Sequence, residues 1–478
     1  VHAYEGTYVS GEWSPSAGER IDVTSPATGE IVGCVSAATA DEVGSAIEAA
    51  RVALDRGPWA TSTPTDRAAA IGRLADVIEA RSKEFADLIS AEMGSPRKWA
   101  SFGQIGTALG VLRTYEKITA DYSFEEFRAS IMGGTVLVRQ LPVGVVGAIL
   151  PWNAPLFTAM LKIAPAMAAG CTMVLKPSPD APLALSMLTE VIEAAGIPPG
   201  VINIVSGDVA TGEALVAHPG VDKVSFTGST AAGQRIGAVC AADVRRYGLE
   251  LGGKSAALVL DDIELDAKTI GGLVTGVMAN NGQVCAAQTR ILVPQSRYDE
   301  VVDALGSAVA ELTVGNPADR TTDVGPVINR TARDRIEGYV QRAAAEGARV
   351  VVGGVRPEGL DSGWYVSPTV VADVDNQMAI ARDELFGPVA VVIAYSDEDD
   401  AVAIANDSEY GLAGAVWSSN RDRAARVAAR MRVGSVSINS AAPLDFGSPF
   451  GGFKKSGIGR EGGPEGIASY LESQSIIG

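Results

Sequence analysis

The chain has 478 residues, of which 47% are hydrophobic and 20% charged, with a formal net charge of -18. That length exceeds what one hydrophobic core serves, so two or three domains are expected, and the composition excludes wholesale disorder. The negative charge argues against nucleic acid and anionic membrane as partners.

Four scattered cysteines (Cys34, Cys171, Cys240 and Cys285), with no CxxC pair, read as the reduced thiols of a cytoplasmic protein. The opening stretch "VHAYEGTYVSGEWSPSAGERIDV" carries neither a basic n-region nor an apolar h-region, so no secretory signal is expected. The longest apolar run, "LPVGVVGAIL" at 141–150, is too short to span a bilayer and is broken by Gly and Pro.

Helical patterns come first, in "DEVGSAIEAARVAL" (41–54) and "DRAAAIGRLADVIEARSKEFADLISAEMG" (66–94), where Ile71, Leu74, Ala75 and Ile78 recur at helical spacing. The segment 122–141 reads as a hairpin around Gly133-Gly134. From Val143 the rhythm becomes strand–helix alternation. "VGVVGAIL", "CTMVLK", "VINIVSG" and "KVSFT" are strands, and a helix over 181–195 carries Ala184, Met187, Leu188, Val191, Ile192 and Ala195 on one face. A second alternating region runs from Gly252 to about 440, with helices at 297–312 and 330–346 and strands in "ARVVVGG", "WYVSPTVVADV" and "GPVAVVIAYSD". The tail "IASYLESQSIIG" ends strand-like. Fully apolar strands alternating with helices predict an α/β fold with buried parallel sheets.

Five stretches could carry chemistry. In "VSFTGSTAAG" a strand ends in Thr227-Gly228-Ser229 and a helix follows; Gly228 and the helix N-terminus suit a phosphate, or Gly228 simply makes the turn. Lys176 ends a buried strand, where it can meet a ligand or snorkel to solvent. "ILPWNAP" sets Trp152 and Asn153 just past another strand end; the Asn153 amide can donate to an oxyanion or form an Asx turn. Glu250, in "GLELGGKS", is a general base raised by apolar surroundings, or a carboxylate receiving backbone N–H groups from the glycine turn. Cys285, in "NNGQVCAAQTR" (280–290), is a nucleophile or a small buried hydrophobe. The only histidines are His2 and His218, the latter expected at a helix end. This argues against a multi-histidine metal site and a Cys–His pair, so a Cys285 proton would go to a carboxylate, a lysine or water.

With "DELFGPV" at 383–389 and "SPFGGFKKSGIGRE" at 448–461, these motifs give the chain, along nearly its whole length, a resemblance to the NAD(P)-dependent aldehyde dehydrogenases. The resemblance implies a Rossmann-like cofactor domain (1–121 and 142–251), an α/β catalytic domain (252–440) and a small β oligomerisation arm (122–141 and 455–478). It implies that Cys285 attacks an aldehyde to form a thiohemiacetal and then a thioester. The Asn153 amide and the Cys285 N–H hold the oxyanion, and Glu250 activates the hydrolytic water. Lys176, Gly228 and Ser229 would contact the adenosine half of NAD. Glu384 would hold the nicotinamide ribose, with Phe386 and Trp152 beside it. Many members carry a glutamate where this chain has Pro179, followed by Asp180; NAD is expected, with NADP as the alternative. No Lys or Arg occurs over 269–289 or in "SINSAAPLDFGSP". The expected substrate is therefore an uncharged aliphatic or aromatic aldehyde, walled by Phe157, Met160, Leu161 and Phe446. The implied assembly is a homodimer or homotetramer, with no metal. The alternatives are a coenzyme A-acylating enzyme, against which Glu250 counts, and a non-catalytic member of the fold.

Overall fold

Val145–Ile149 and Thr172–Lys176 are apolar on both faces, and in the computed structural model, which describes residues 2–442 and 444–478, they lie at the centre of an eight-stranded sheet. Its five inner strands are parallel, in the order Arg246–Glu250, Lys223–Thr227, Val145–Ile149, Thr172–Lys176 and Ile202–Ile204. Short antiparallel strands close both edges: Gly457–Ile458 beside Arg246–Glu250, and Thr7–Val9 with Glu12–Ser14 at the other side. Along Val145–Ile149 the residues alternate between two cores. Val146 and Ala148 join the large helical core, while Val145 packs with Val174 and Val224 on the opposite face.

The chain leaves this sheet after Glu250 and enters a seven-stranded one at Ala256–Val259. All of its pairings are parallel except that of the edge strand Arg349–Val352. Ala256 and Leu258 point into one core and Ala257 and Val259 into the other, as a sheet covered on both faces requires. The expected α/β class is the one the chain adopts.

Two three-stranded sheets complete the fold. Glu125–Ala129 and Thr135–Pro142 form the hairpin, and Leu471–Ile477 pairs with its second strand. The rest of 455–478 lies elsewhere: Gly457–Ile458 edges the eight-stranded sheet, and the helix Gly463–Ala468 packs on the helix Pro155–Ala169. His2–Tyr4, Ile31–Ser36 and Arg20–Thr24 make the other small sheet, which helical periodicity in the first 120 residues does not foretell.

The long pattern over 66–94 is two helices, Pro64–Ala80 and Ser82–Met93. Ser82 Oγ donates to the carbonyls of Ile78 and Glu79, and this local competition for backbone acceptors accompanies the break at Arg81. His218 follows the helix Val209–Ala217 as its C-cap. No helix is long and apolar enough to cross a membrane among the described residues.

Candidate active site

Strand order reverses between Val145–Ile149 and Lys223–Thr227. From the first strand the chain moves outward to Thr172–Lys176 and Ile202–Ile204, then returns to build Lys223–Thr227 and Arg246–Glu250 on the other side. Ligands of open α/β sheets bind in the crevice at the carboxyl ends of strands at such a reversal. Asn153 follows one flanking strand, Gly228 and Ser229 follow the other, and Lys176 and Glu250 end the neighbouring strands. Four stretches far apart in sequence therefore open on one edge.

Cys285 reaches that edge from the second sheet's unit. The helix Ala267–Met278 ends, and Asn280 and Asn281 turn the chain with left-handed backbones (φ 52° and 61°), a conformation asparagine tolerates. Asn153 Nδ2 donates to the Gln283 carbonyl at 2.9 Å, two residues before Cys285. A Cβ on Gly253 would come within 2.5 Å of the Cys285 carbonyl oxygen, so the glycine turn after Glu250 lies directly against the cysteine. The thiol is half-buried, and its pKa is pushed up to about 12 by burial and by the nearby carboxylates Glu384 and Glu250.

Glu250 is only 6% exposed, and its Oε2 has no hydrogen-bond partner among the described residues. Burial and then Glu461 raise its pKa well above the ordinary carboxylate value, opposed by Lys162 and Arg460. Lys162 is fully buried and donates to Glu461 Oε1 at 2.6 Å. The backbone N–H of the glycine turn goes to another carboxylate: Gly253 N–H donates to Glu384 Oε1 at 3.0 Å. Glu250 thus keeps a free acceptor atom, which is what a proton-abstracting group needs.

The groups around the strand reversal fit a dinucleotide. Ser229 caps the helix Thr230–Ala242 by accepting from Ala232 N–H, leaving other first-turn N–H groups for a phosphate. Gly228 N–H donates to the Glu250 carbonyl, holding the turn beside Glu250. Lys176 is 5% exposed, and burial pushes it down to about 8. Glu384, pushed up to about 7 by burial, offers an acceptor for sugar hydroxyls. Phe386 has a left-handed backbone (φ 58°), a strained conformation for a bulky residue, and its ring meets Trp152 edge-on at 5.4 Å. That contact joins the two units.

Of the expected wall residues, Phe157 and Phe446 are half-buried and meet edge to face at 6.4 Å. Met160 and Leu161 lie within the core, 0% and 3% exposed. The sequence reading misses the buried amides Gln104, Asn280, Asn281 and Gln283, and the Lys162–Glu461 pair. Its one available signal is the Asn-Asn pair just before "GQVC", a residue type suited to left-handed turns.

A family model described as the aldehyde dehydrogenase family matches residues 13–476. Geranial dehydrogenase of Castellaniella defragrans is 47% identical over 474 residues, covering 99% of this chain and 98% of that protein. The 3-succinoylsemialdehyde-pyridine dehydrogenase of a Pseudomonas species is 43% identical over 479 residues, with 99% and 98% covered. The crystal structure of a Mycobacterium tuberculosis aldehyde dehydrogenase complexed with NAD+ superposes with a TM-score of 0.97 at 44% identity, covering 100% of this chain and 98% of that one. A mutant of aldehyde dehydrogenase C from Pseudomonas syringae, in complex with NAD+ and octanal, gives 0.94 at 39% identity, with 99% and 96% covered. The chain belongs to the aldehyde dehydrogenase family, oxidoreductases that act on an aldehyde group.

Proposed function

We propose that this chain oxidises an uncharged aliphatic or aromatic aldehyde to its carboxylic acid with NAD+, through covalent catalysis on Cys285. The observation that carries the reading is the approach of Asn153, Glu250 and Cys285 to one another at the strand reversal, with Asn153 hydrogen-bonded to the cysteine's own loop. Cys285 Sγ bonds to the carbonyl carbon while its proton passes to solvent, directly or through Glu250, which is ionised again before the second step. The oxygen that gains charge accepts from Asn153 Nδ2–H and the Cys285 backbone N–H. NAD+ supplies the hydride acceptor, and loss of hydride turns the thiohemiacetal into a thioester. Glu250 then takes a proton from water, which adds to the thioester carbonyl and releases acid and Cys285. Lys176, Gly228 and Ser229 orient the adenosine half of the cofactor, and Glu384, Phe386 and Trp152 its nicotinamide half.

Geranial and octanal, named for two relatives, are uncharged, which agrees with the absence of Lys and Arg from 269–289. Phe157 and Phe446 form the apolar wall, with Met160 and Leu161 supporting it. Pro179 leaves the adenosine ribose without the usual carboxylate, and Asp180 follows one residue later; NAD+ is preferred and NADP+ is the slower cofactor. Steady-state rates with hexanal, octanal, benzaldehyde and succinic semialdehyde, each with NAD+ and NADP+ and with and without coenzyme A, test these points together. Selectivity for the charged semialdehyde, a preference for NADP+, or an acyl-coenzyme A product would each contradict the corresponding part.

The sheet of Glu125–Ala129, Thr135–Pro142 and Leu471–Ile477 exposes Phe127, Ile131, Met132, Ile476 and Ile477. We assign it to contacts between copies in a homodimer or homotetramer. A monomer by light scattering at micromolar concentration would contradict this.

A further inference from the structure

We propose that Asn280 is a positioning residue that fixes the Asn153 amide against the Cys285 loop; this rests on the reading of Asn153 as the oxyanion donor. Asn280 is 2% exposed and fully engaged. Its Nδ2 donates to the Asn153 backbone carbonyl at 2.9 Å and to the Gln283 carbonyl at 3.3 Å. Its Oδ1 accepts from Ser95 Oγ at 2.8 Å. Both Nδ2 partners are carbonyl oxygens, which only accept, so the orientation of the amide is settled by its neighbours.

The Gln283 carbonyl that receives Asn280 also receives Asn153 Nδ2. A closed ring results: Asn153 carbonyl, Asn280 amide, Gln283 carbonyl, Asn153 amide. Gln104 Nε2 donates to the Asn153 carbonyl as well, at 2.8 Å, so the carbonyls of both Asn153 and Gln283 accept two hydrogen bonds each. An asparagine amide carries two hydrogens. One of Asn153's is held by Gln283, which fixes the direction of the other, the one that serves the oxyanion on the proposed reading. Without Asn280, the Asn153 side chain and the Gln283 carbonyl lose their common anchor, and the donor swings relative to the sulfur. Misplacement of a reacting group by about 1 Å costs about a hundredfold in rate.

An asparagine with φ 52° also serves as a turn former, so the test must separate the two roles. Asn280→Gly keeps the left-handed turn, which glycine adopts freely, and removes only the amide. The expected result is a burst of reduced nicotinamide slowed by about ten- to a hundredfold. Alkylation of Cys285 by iodoacetamide, which forms no oxyanion, should stay within about twofold of wild type, a readout that collapse of the loop would move. In an Asn153→Ala background, adding Asn280→Gly should cost less than about threefold, because both act through one donor.

A wild-type burst in Asn280→Gly, or costs that multiply in the double variant, overturns the proposal. Should Asn280→Gly fail to fold, Ser95→Ala decides, since it releases Asn280 Oδ1. A burst slowed by about threefold or more supports the proposal, and a wild-type burst overturns it. Wild-type acylation in Asn153→Ala alone would instead refute the oxyanion reading beneath it.

Discussion

Replacing Asn153 with alanine removes the proposed oxyanion donor, and the structure separates its catalytic cost from its structural one. Among the described residues the side chain makes one hydrogen bond, from Nδ2 to the Gln283 carbonyl. That carbonyl keeps Asn280 Nδ2 at 3.3 Å as a donor, so no buried acceptor is orphaned. The stability loss is then that of one hydrogen bond, about 1 kcal/mol. The Asn153 backbone carbonyl, which anchors Gln104 and Asn280, is untouched by the substitution. Loss of an oxyanion donor costs about 10²–10³ in kcat, or about 2.7–4 kcal/mol. Rapid mixing with NAD+ and octanal, following the absorbance of reduced nicotinamide, reads the acylation step directly. The expected outcome is a burst slowed by about two to three orders of magnitude, with a thermal midpoint lowered by no more than about 2–4 °C. A burst within about threefold of wild type, or a loss confined to KM, would refute the assignment.

Burial pushes Glu384 up to about 7, so its charged fraction falls as the pH drops through that value. NAD+ should bind more weakly below pH 7, and Glu384→Gln should flatten the dependence in a titration of nucleotide binding. Glu92 is fully buried, accepts N–H donors from Leu183 and Ala184 at 2.7 and 3.0 Å, and is pushed up to about 8 by burial. Its folded pKa lies above the unfolded value, so its contribution to stability is complete below about pH 4.3 and lost as pH rises through about 8. The midpoint difference between wild type and Glu92→Gln should shift against wild type between pH 5 and 9; a constant difference would contradict this. A Cβ on Gly110 would lie 2.3 Å from the Phe446 ring. Gly110→Ala should therefore displace Phe446 and raise KM for octanal and benzaldehyde while sparing acetaldehyde, and an equal effect on all three would argue against Phe446 as a wall.

The strand ends are legible in the sequence because each apolar run stops at a chemically distinctive residue: Lys176 after "TMVL", Glu250 after "YGL", Asn153 just beyond "VVGAI". Alternation places such ends on one edge of a parallel sheet. What joins them is not legible, because it consists of contacts between residues far apart in the chain. Asn280 reaches Asn153 across 127 positions and Lys162 reaches Glu461 across 299, with no local pattern marking either pair. Short strands escape for a different reason. His2–Tyr4 and Glu12–Ser14 are three residues each and largely exposed, too brief for a period to show. The helix break at Arg81 is likewise silent, since the apolar spacing runs on through it while Ser82 takes up the carbonyls.

On the proposed mechanism an acyl group is carried by the Cys285 sulfur and released by water that Glu250 deprotonates. Intact-protein and peptide mass spectrometry of Glu250→Gln, quenched after mixing with octanal and NAD+, can trap that acyl group. The expected result is one acyl group per chain, located on Cys285, persisting after a single burst of reduced nicotinamide. Steady turnover at the wild-type rate, or a burst that leaves Cys285 unmodified, would contradict it.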